Sequence, residues 1–415
     1  MQREQRWNRR AANRALALGG ALAMAFAGSG AAFAASTNPV AAKEWALSML
    51  NATAIRQQYQ AHGAGVLVAV IDTGVDPNQP DLQGRLVDGV NETDPNNPTS
   101  NYSDSSSVSH GTAVATVIAG YPHKGTSGND DGMIGLADEA KIMPVKVSDT
   151  GEGVSDASIA AGFQYAISHG AQVINMSMSS TEMSADMADA LKSALSHGIV
   201  VVVSADNKAE AGNETNVWAA YPGVLDVSGV DSNGKKYSEG HYGADVDVAA
   251  PGNDIEVGQA GGAYNELSGT SFAAPWVAGE AALLIAAHPT WTSGQIVATI
   301  IDNTMQTASG QSKAGHRYDD VVGYGLIDPV AALGASEPSS TSNPLGGPAV
   351  TSSPGASAAA SSGASATGAA TTGTTTPTAS KSSSKAPLFI GIAVAVVVVL
   401  ALLIFLLTRG RNRGG

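Results

Sequence analysis

The sequence predicts an α/β fold: one domain built on a doubly wound, mostly parallel sheet with helices on both faces. Three observations predict it. Apolar, β-branched runs without polar alternation recur at Val66–Ile71, Lys141–Val147, Gln172–Asn175, Ile199–Val203 and Val246–Ala249, as expected of strands covered on both sides. Helical patterns fall between or after them, at Thr112–Ala119, Ser155–Ser168, Ser184–Ser196, Ser271–Ala287 and Ser293–Thr304. The punctuation agrees: Gly170 and Gly198 stand where helices end, and Thr292 precedes Ser293-Gly294-Gln295 as a capped start. In such sheets ligands sit beyond the carboxyl ends of the strands, and Asp72 lies just past the first run.

The two ends read differently from the body. Residues 1–34 carry five arginines, an apolar stretch from Ala15 to Ala27 and Ala32-Phe33-Ala34, the pattern of a cleaved secretory signal. A short N-terminal extension covers 35–63, and the body covers 64–335. From 336 to 387 the chain is mostly Ser, Thr, Ala, Gly and Pro, a composition too poor in apolar surface to offset its ordering entropy, and therefore a stalk. Residues 388–407 are apolar throughout, long enough to span a bilayer core of about 30 Å. Arg409, Arg411 and Arg413 in the tail 408–415 favour a cytoplasmic end, and with the signal they imply a type I protein whose body faces outward.

The formal charge is −14, and loss of residues 1–34 would leave about −18, which argues against a nucleic-acid partner. The chain has no cysteine, so disulfides, thiolate nucleophiles and Cys-based zinc sites are excluded. No cofactor is expected. Asn129-Asp130-Asp131 and the Asp76/Asp81 pair are oxygen-rich and leave calcium open, with no metal ligand assigned.

Three separated stretches carry chemistry. Val-Ala-Val-Ile-Asp-Thr-Gly presents Asp72, Ser-His-Gly-Thr-Ala-Val-Ala presents His110, and Ser-Gly-Thr-Ser-Phe-Ala-Ala-Pro presents Ser271. A hydroxyl nucleophile needs a base, and the base needs an orienting carboxylate; together the three supply that set. The Ser271 amide, in the first turn of a helix, is a candidate oxyanion donor. A rival reading pairs Asp72 with the second Asp-Thr-Gly at Asp149 as a carboxylate dyad. The polar, glycine-rich setting of Asp149 reads instead as a surface turn. His169 and His197, before Gly170 and Gly198, suit helix ends without further role.

These motifs resemble those of the subtilisin-like serine proteases over nearly the whole body. Val70–Asp76 with Pro80-Asp81-Leu82, Ser109–Thr112, and Gly269-Thr270-Ser271 with Ala273-Ala274-Pro275 are similar to the family's aspartate, histidine and serine blocks. Ala250-Pro251-Gly252 and Gly323–Ile327 look like further landmarks. The resemblance implies Ser271 as nucleophile, His110 as general base and then acid, Asp72 as orienter, and Asn207 as side-chain donor to the oxyanion hole. It also implies a substrate strand at Ser177, Met178 and Ser179, followed by Ser180, narrower than the family's Ser-Leu-Gly-Gly. Ser204, Ala205 and Asp206 become the second bordering segment. Asp206 replaces the usual glycine; its carboxylate would border the primary specificity pocket and suggest basic substrates, or tilt outward, with Lys208 placed to neutralise it.

The layout of signal, short extension, catalytic domain, stalk and single C-terminal membrane helix is closest to the mycosins, subtilases tied to type VII secretion, although their usual disulfides are missing. The expectation is a membrane-anchored extracellular endopeptidase that processes protein or peptide substrates, with a secretion-system membrane complex as partner. The alternative is a structural component of such a complex with little catalytic role.

Overall fold

The computed structural model describes residues 38–351 apart from 126–127, 152, 306–310 and 314–315. The signal reading at 1–34, the membrane helix at 388–407, the basic tail and most of the stalk lie outside the described residues. Seven strands form the central sheet: β1 (Leu67–Asp72), β2 (Val90–Asn91), β3 (Lys141–Lys146), β4 (Val173–Met176), β5 (Val200–Ser204), β6 (Leu225–Val230) and β7 (Val248–Pro251). Their order is β2-β3-β1-β4-β5-β6-β7, and every pairing in this sheet is parallel. The order runs outward in both directions from β1, as a doubly wound sheet requires.

Each strand sends alternate side chains to opposite faces, and both faces are apolar. Val68 and Val70 join one core with α3 (His110–Ala119) and α6 (Thr270–Ala287). Ala69 and Ile71 join the other with α4 (Asp156–Ser168) and α5 (Ala185–Ser196). This explains why the strands read as unbroken apolar runs. Helix α6 is long and apolar enough to pass for a membrane span, yet it is largely buried in the body. Ser155, Ser184 and Thr292 each accept a backbone N–H at a helix start, and Thr292 with Gln295 closes a capping box on α7 (Ser293–Asp302). Gly170 and Gly198 take positive φ values of 78° and 74° just past α4 and α5, the conformation that ends a helix.

The segments flanking the predicted body pack onto it. In the extension, α1 (Trp45–Met49) and α2 (Ala52–Gln58) bury Ala46 and Ile55, and Leu50 between them, in the same core as α6. At the other end, residues 336–351, assigned by composition to the stalk, lie along the body. Gly223 N–H donates to Leu345 O at 3.1 Å and Thr351 N–H to Ser196 O at 2.7 Å, while Gln295 Nε2 donates to Pro338 O at 2.8 Å.

One core residue works against stability. Glu280, in the middle of α6, is fully buried, and neither of its carboxyl oxygens has a hydrogen-bond partner. Burial, reinforced by the charge of Asp328, holds its pKa well above the ordinary value. Between the unfolded and folded pKa values the native state therefore binds the extra proton, so stability falls as pH rises and levels off above the folded-state value. Glu280→Leu is expected to raise the unfolding free energy by about 1–3 kcal/mol at neutral pH. It should also flatten that part of the pH dependence; chemical denaturation at pH 5 and pH 8 checks both.

Candidate active site

Asp72 is the last residue of β1, at the carboxyl edge of the sheet, and its side chain is fully buried. His110 opens α3, which crosses directly above. The close approach requires Gly111: a Cβ there would come within 2.2 Å of Gly74 O and 3.0 Å of Asp72 Cβ. His110 Nδ1–H donates to Asp72 Oδ1 at 2.8 Å, and the same oxygen accepts the Thr73 N–H at 2.7 Å. Burial disfavours the imidazolium. The Asp72 carboxylate, by charge and hydrogen bond, and the charge of Asp104 outweigh it and hold the His110 pKa above its ordinary value. The orienting carboxylate thus fixes the tautomer that leaves Nε2 as the base.

Asp104 is a functional residue that sequence reasoning missed. Ser109 at the start of α3 sits in the left-handed region and makes no side-chain cap. Asp104 does that work from six residues upstream of His110, accepting from Thr112 N–H at 2.9 Å and Thr112 Oγ1 at 2.8 Å. It also accepts from Thr73 Oγ1 at 3.0 Å, and Thr73 Oγ1 in turn accepts from Gly111 N–H at 3.0 Å. One carboxylate therefore locks the Asp72 loop to the His110 helix. The only sequence signal was an acidic residue in a serine-rich loop, which has no fixed spacing to a helix start.

Ser271 lies in the first turn of α6, where its N–H has no acceptor within the helix. Its Oγ donates to Ser177 O over a long 3.5 Å. Ser271, His110, Asn207, Ser177, Met178, Ser179, Ser204 and Asp206 line one cleft of about 620 Å³. Asn207 is held for a single role: its Oδ1 accepts from Thr270 N–H at 2.8 Å and Thr270 Oγ1 at 3.1 Å, which commits the other end of the amide, Nδ2, to donation beside Gly269. Asn207→Ala is expected to lower turnover by about 10²–10³ with little change in KM, the scale found when the corresponding donor is removed from subtilisin. Steady-state kinetics on active-site-titrated enzyme measures it.

The second bordering segment departs in detail from the sequence reading. Ala205 is fully buried, its N–H bonded to Val227 O, and is absent from the cleft lining. Asp206 does line the cleft, in a backbone conformation with φ of 119° that favours glycine. Its Oδ1 accepts Asn207 N–H at 2.7 Å, and its Oδ2 lies 3.6 Å from Lys208 Nζ. The carboxylate is thus nearly buried and already answered by the protein.

Asp149 stays apart from Asp72. It is exposed, pairs with Lys146 Nζ at 2.9 Å and accepts from Ser105 Oγ at 3.0 Å. The Lys146 and Ser105 hydrogen bonds hold its pKa below the ordinary carboxylate value. The two Asp-Thr-Gly copies form no dyad. His169 and His197 donate from Nδ1 to Tyr165 O and Ser193 O, both at 2.8 Å, as suits helix ends. Among the oxygen-rich residues, Asp81 is buried and accepts from His123 Nδ1, Tyr264 OH and Met133 N–H at 2.8, 3.2 and 2.9 Å. Among the described residues no three His, Asp or Glu side chains converge as metal ligands.

Comparison with known proteins agrees with this geometry. The family model described as the subtilase family, Peptidase S8, matches residues 63–325. Subtilisin E of Bacillus subtilis (strain 168) is 36% identical over 276 residues, covering 64% of this chain and 68% of its own. Thermitase of Thermoactinomyces vulgaris is 36% identical over 251 residues, covering 60% and 84%. Among solved structures, a protease of Pseudoalteromonas arctica PAMC 21717 superposes with a TM-score of 0.61 at 27% identity, over 72% of this chain and 99% of that one. Fervidolysin from Fervidobacterium pennivorans, a keratinolytic enzyme, gives 0.61 at 30% identity over 74% and 49%. A base oriented by a buried carboxylate, a serine at a helix start and an amide fixed as a donor, together with the family match over residues 63–325, show that the chain belongs to the subtilase family and is a subtilisin-like serine endopeptidase.

Proposed function

We propose that this endopeptidase is a membrane-anchored, outward-facing processing enzyme coupled to protein secretion, with a mycosin-like layout. The chemistry follows from the residues present. Ser271 Oγ attacks the scissile carbonyl while His110 Nε2 takes its proton, and Asp72 stabilises the imidazolium that results. The Ser271 N–H and Asn207 Nδ2 meet the developing oxyanion. His110 then protonates the leaving amine, and water, activated by the same imidazole, releases the acyl group. No step calls for a metal or organic cofactor, because nucleophile, base and oxyanion donors are all supplied by the chain; bound calcium would serve the scaffold.

The observation that carries the anchored reading is the charge-free apolar run 388–407 followed directly by Arg409, Arg411 and Arg413. The arginine-rich, apolar stretch at 1–34 supports export. In cells, the full chain is expected in the membrane fraction after alkaline extraction, with its body digestible by added protease on intact cells. A soluble cytoplasmic protein sinks the anchored reading. Secretion is compared in Ser271→Ala and deletion strains: equal loss in both ties secretion to catalysis. Full secretion with Ser271→Ala but not with the deletion assigns the chain a structural part in the complex instead.

A further inference from the structure

We infer that Asp206 restrains the rate of this enzyme: its carboxylate, fixed behind Asn207, opposes the negative charge that develops in the oxyanion hole, and Lys208 lifts part of that opposition. The inference rests on Asn207 as the oxyanion donor. Asp206 stands in a backbone conformation, φ of 119°, that only glycine adopts at little cost. A larger residue kept there against that cost marks a position where the side chain matters. The fold holds it from several sides. Its N–H donates to Thr270 Oγ1 at 3.3 Å, and its O accepts His241 N–H at 3.0 Å. Two residues earlier, Ser204 O accepts from the buried Asn216 Nδ2 at 2.7 Å. Asn216 also donates to Met178 O at 3.0 Å and accepts from Ser180 N–H at 3.1 Å, so both borders of the cleft are tied together beside Asp206. The carboxylate itself is pinned, because Oδ1 accepts Asn207 N–H at 2.7 Å.

Position gives this charge its effect. Asp206 Oδ1 is 2.7 Å from Asn207 N, the span across one asparagine to Nδ2 is at most about 5 Å, and the oxyanion lies about 3 Å further. The carboxylate therefore stands within about 11 Å of the developing charge. It is only 7% exposed, so water screens it poorly. Lys208 Nζ lies 3.6 Å from Oδ2, yet its side chain is 55% exposed, and much of its charge is answered by water instead. At an effective dielectric constant of about 20, a unit charge about 10 Å away slows formation of an oxyanion by about 10-fold. The base is a separate matter. The charges that hold the His110 pKa up are those of Asp72 and Asp104, so the effect of Asp206 falls on the oxyanion.

The test uses full-length enzyme in detergent, titrated with a fluorophosphonate, and an uncharged peptide anilide, so that acylation sets the rate. Asp206→Asn keeps an acceptor for Asn207 N–H and removes the charge. It is expected to raise kcat about 10-fold while KM stays within about 2-fold. A peptidyl trifluoromethyl ketone should bind the variant about 10-fold tighter. Ser271 Oγ adds to its carbonyl carbon, the hydroxyl proton passes to His110, and the negative charge settles on the former carbonyl oxygen. Lys208→Met should lower kcat about 3-fold in the wild type but less than about 1.5-fold beside Asp206→Asn. Asp206→Gly, which suits the backbone, takes the place of Asp206→Asn if that variant does not fold, with the same expectations. A titratable Asp206 variant in which kcat or ketone affinity does not rise overturns the inference, as does a Lys208→Met effect of equal size in both backgrounds. Asn207→Ala with wild-type turnover contradicts the donor assignment itself, and the two failures are thereby separated.

Discussion

Ser271→Ala is expected to abolish peptide hydrolysis and fluorophosphonate labelling while leaving the fold unchanged. The side chain is small, sits at the mouth of the cleft and makes only one long hydrogen bond, 3.5 Å to Ser177 O, so its removal opens no cavity. The nucleophile has no substitute, because the chain has no cysteine and the neighbouring Thr270 hydroxyl is committed to Asn207 Oδ1. The loss in kcat should be about 10⁶-fold, the scale found in subtilisin when its serine is removed, and the remaining rate is that of the oxyanion donors acting on bound substrate. Burst titration and circular dichroism separate loss of chemistry from loss of structure. Labelling that persists in the variant would place the nucleophile elsewhere.

Asp72→Asn is expected to lower kcat by about 10⁴-fold and to move the pH profile. In the wild type the base form of His110 is reached only above a pKa that Asp72 and Asp104 hold above the ordinary imidazole value. The acidic limb of kcat/KM therefore lies on the alkaline side of ordinary histidine. Removing the Asp72 charge takes away the largest influence that favours the imidazolium, so burial prevails and the limb moves to lower pH. The rate falls nonetheless, because an amide can offer Nδ1 a donor and stabilise the wrong tautomer. A pH–rate profile of both proteins shows the shift; a limb that stays in place contradicts the assignment of Asp72 as the group facing Nδ1.

Much of this site was legible in the sequence because its residues belong to local motifs. Asp72 ends an apolar run, while His110 and Ser271 begin helices of small residues, and each local pattern is complete within about ten positions. Asn207 was legible by resemblance alone, since nothing local distinguishes it from a surface asparagine. Asp104 and Asn216 were not legible. Each makes hydrogen bonds to segments distant in the chain: Asp104 accepts from Thr73, 31 positions back, and Asn216 bonds residues 36 and 38 positions back, and only folding brings those partners together. Strand β6 was missed for a related reason. Leu225–Val230 reads Leu-Asp-Val-Ser-Gly-Val, whose alternation suggests one wet face, yet all six residues are buried. The Asp226 N–H is taken up by Asp247 Oδ2 at 3.0 Å, and Ser228 Oγ donates to His241 O at 2.8 Å.

What the sequence by itself determined is the class of fold and the candidates for the reacting groups. Strand and helix periods are short-range properties of the chain, and nucleophile, base and orienter are fixed by residue type. Tertiary structure alone decided how the groups are held and which charges beside the cleft are already paired. A charge at Asp206 could read as a pocket for basic substrates until its oxygens were seen facing Asn207 and Lys208. A serine-rich stretch from 336 reads as loose until Leu345 and Thr351 meet Gly223 and Ser196. Composition counts the polar atoms of a segment, whereas their partners, and so their energetic consequence, exist only in the folded chain.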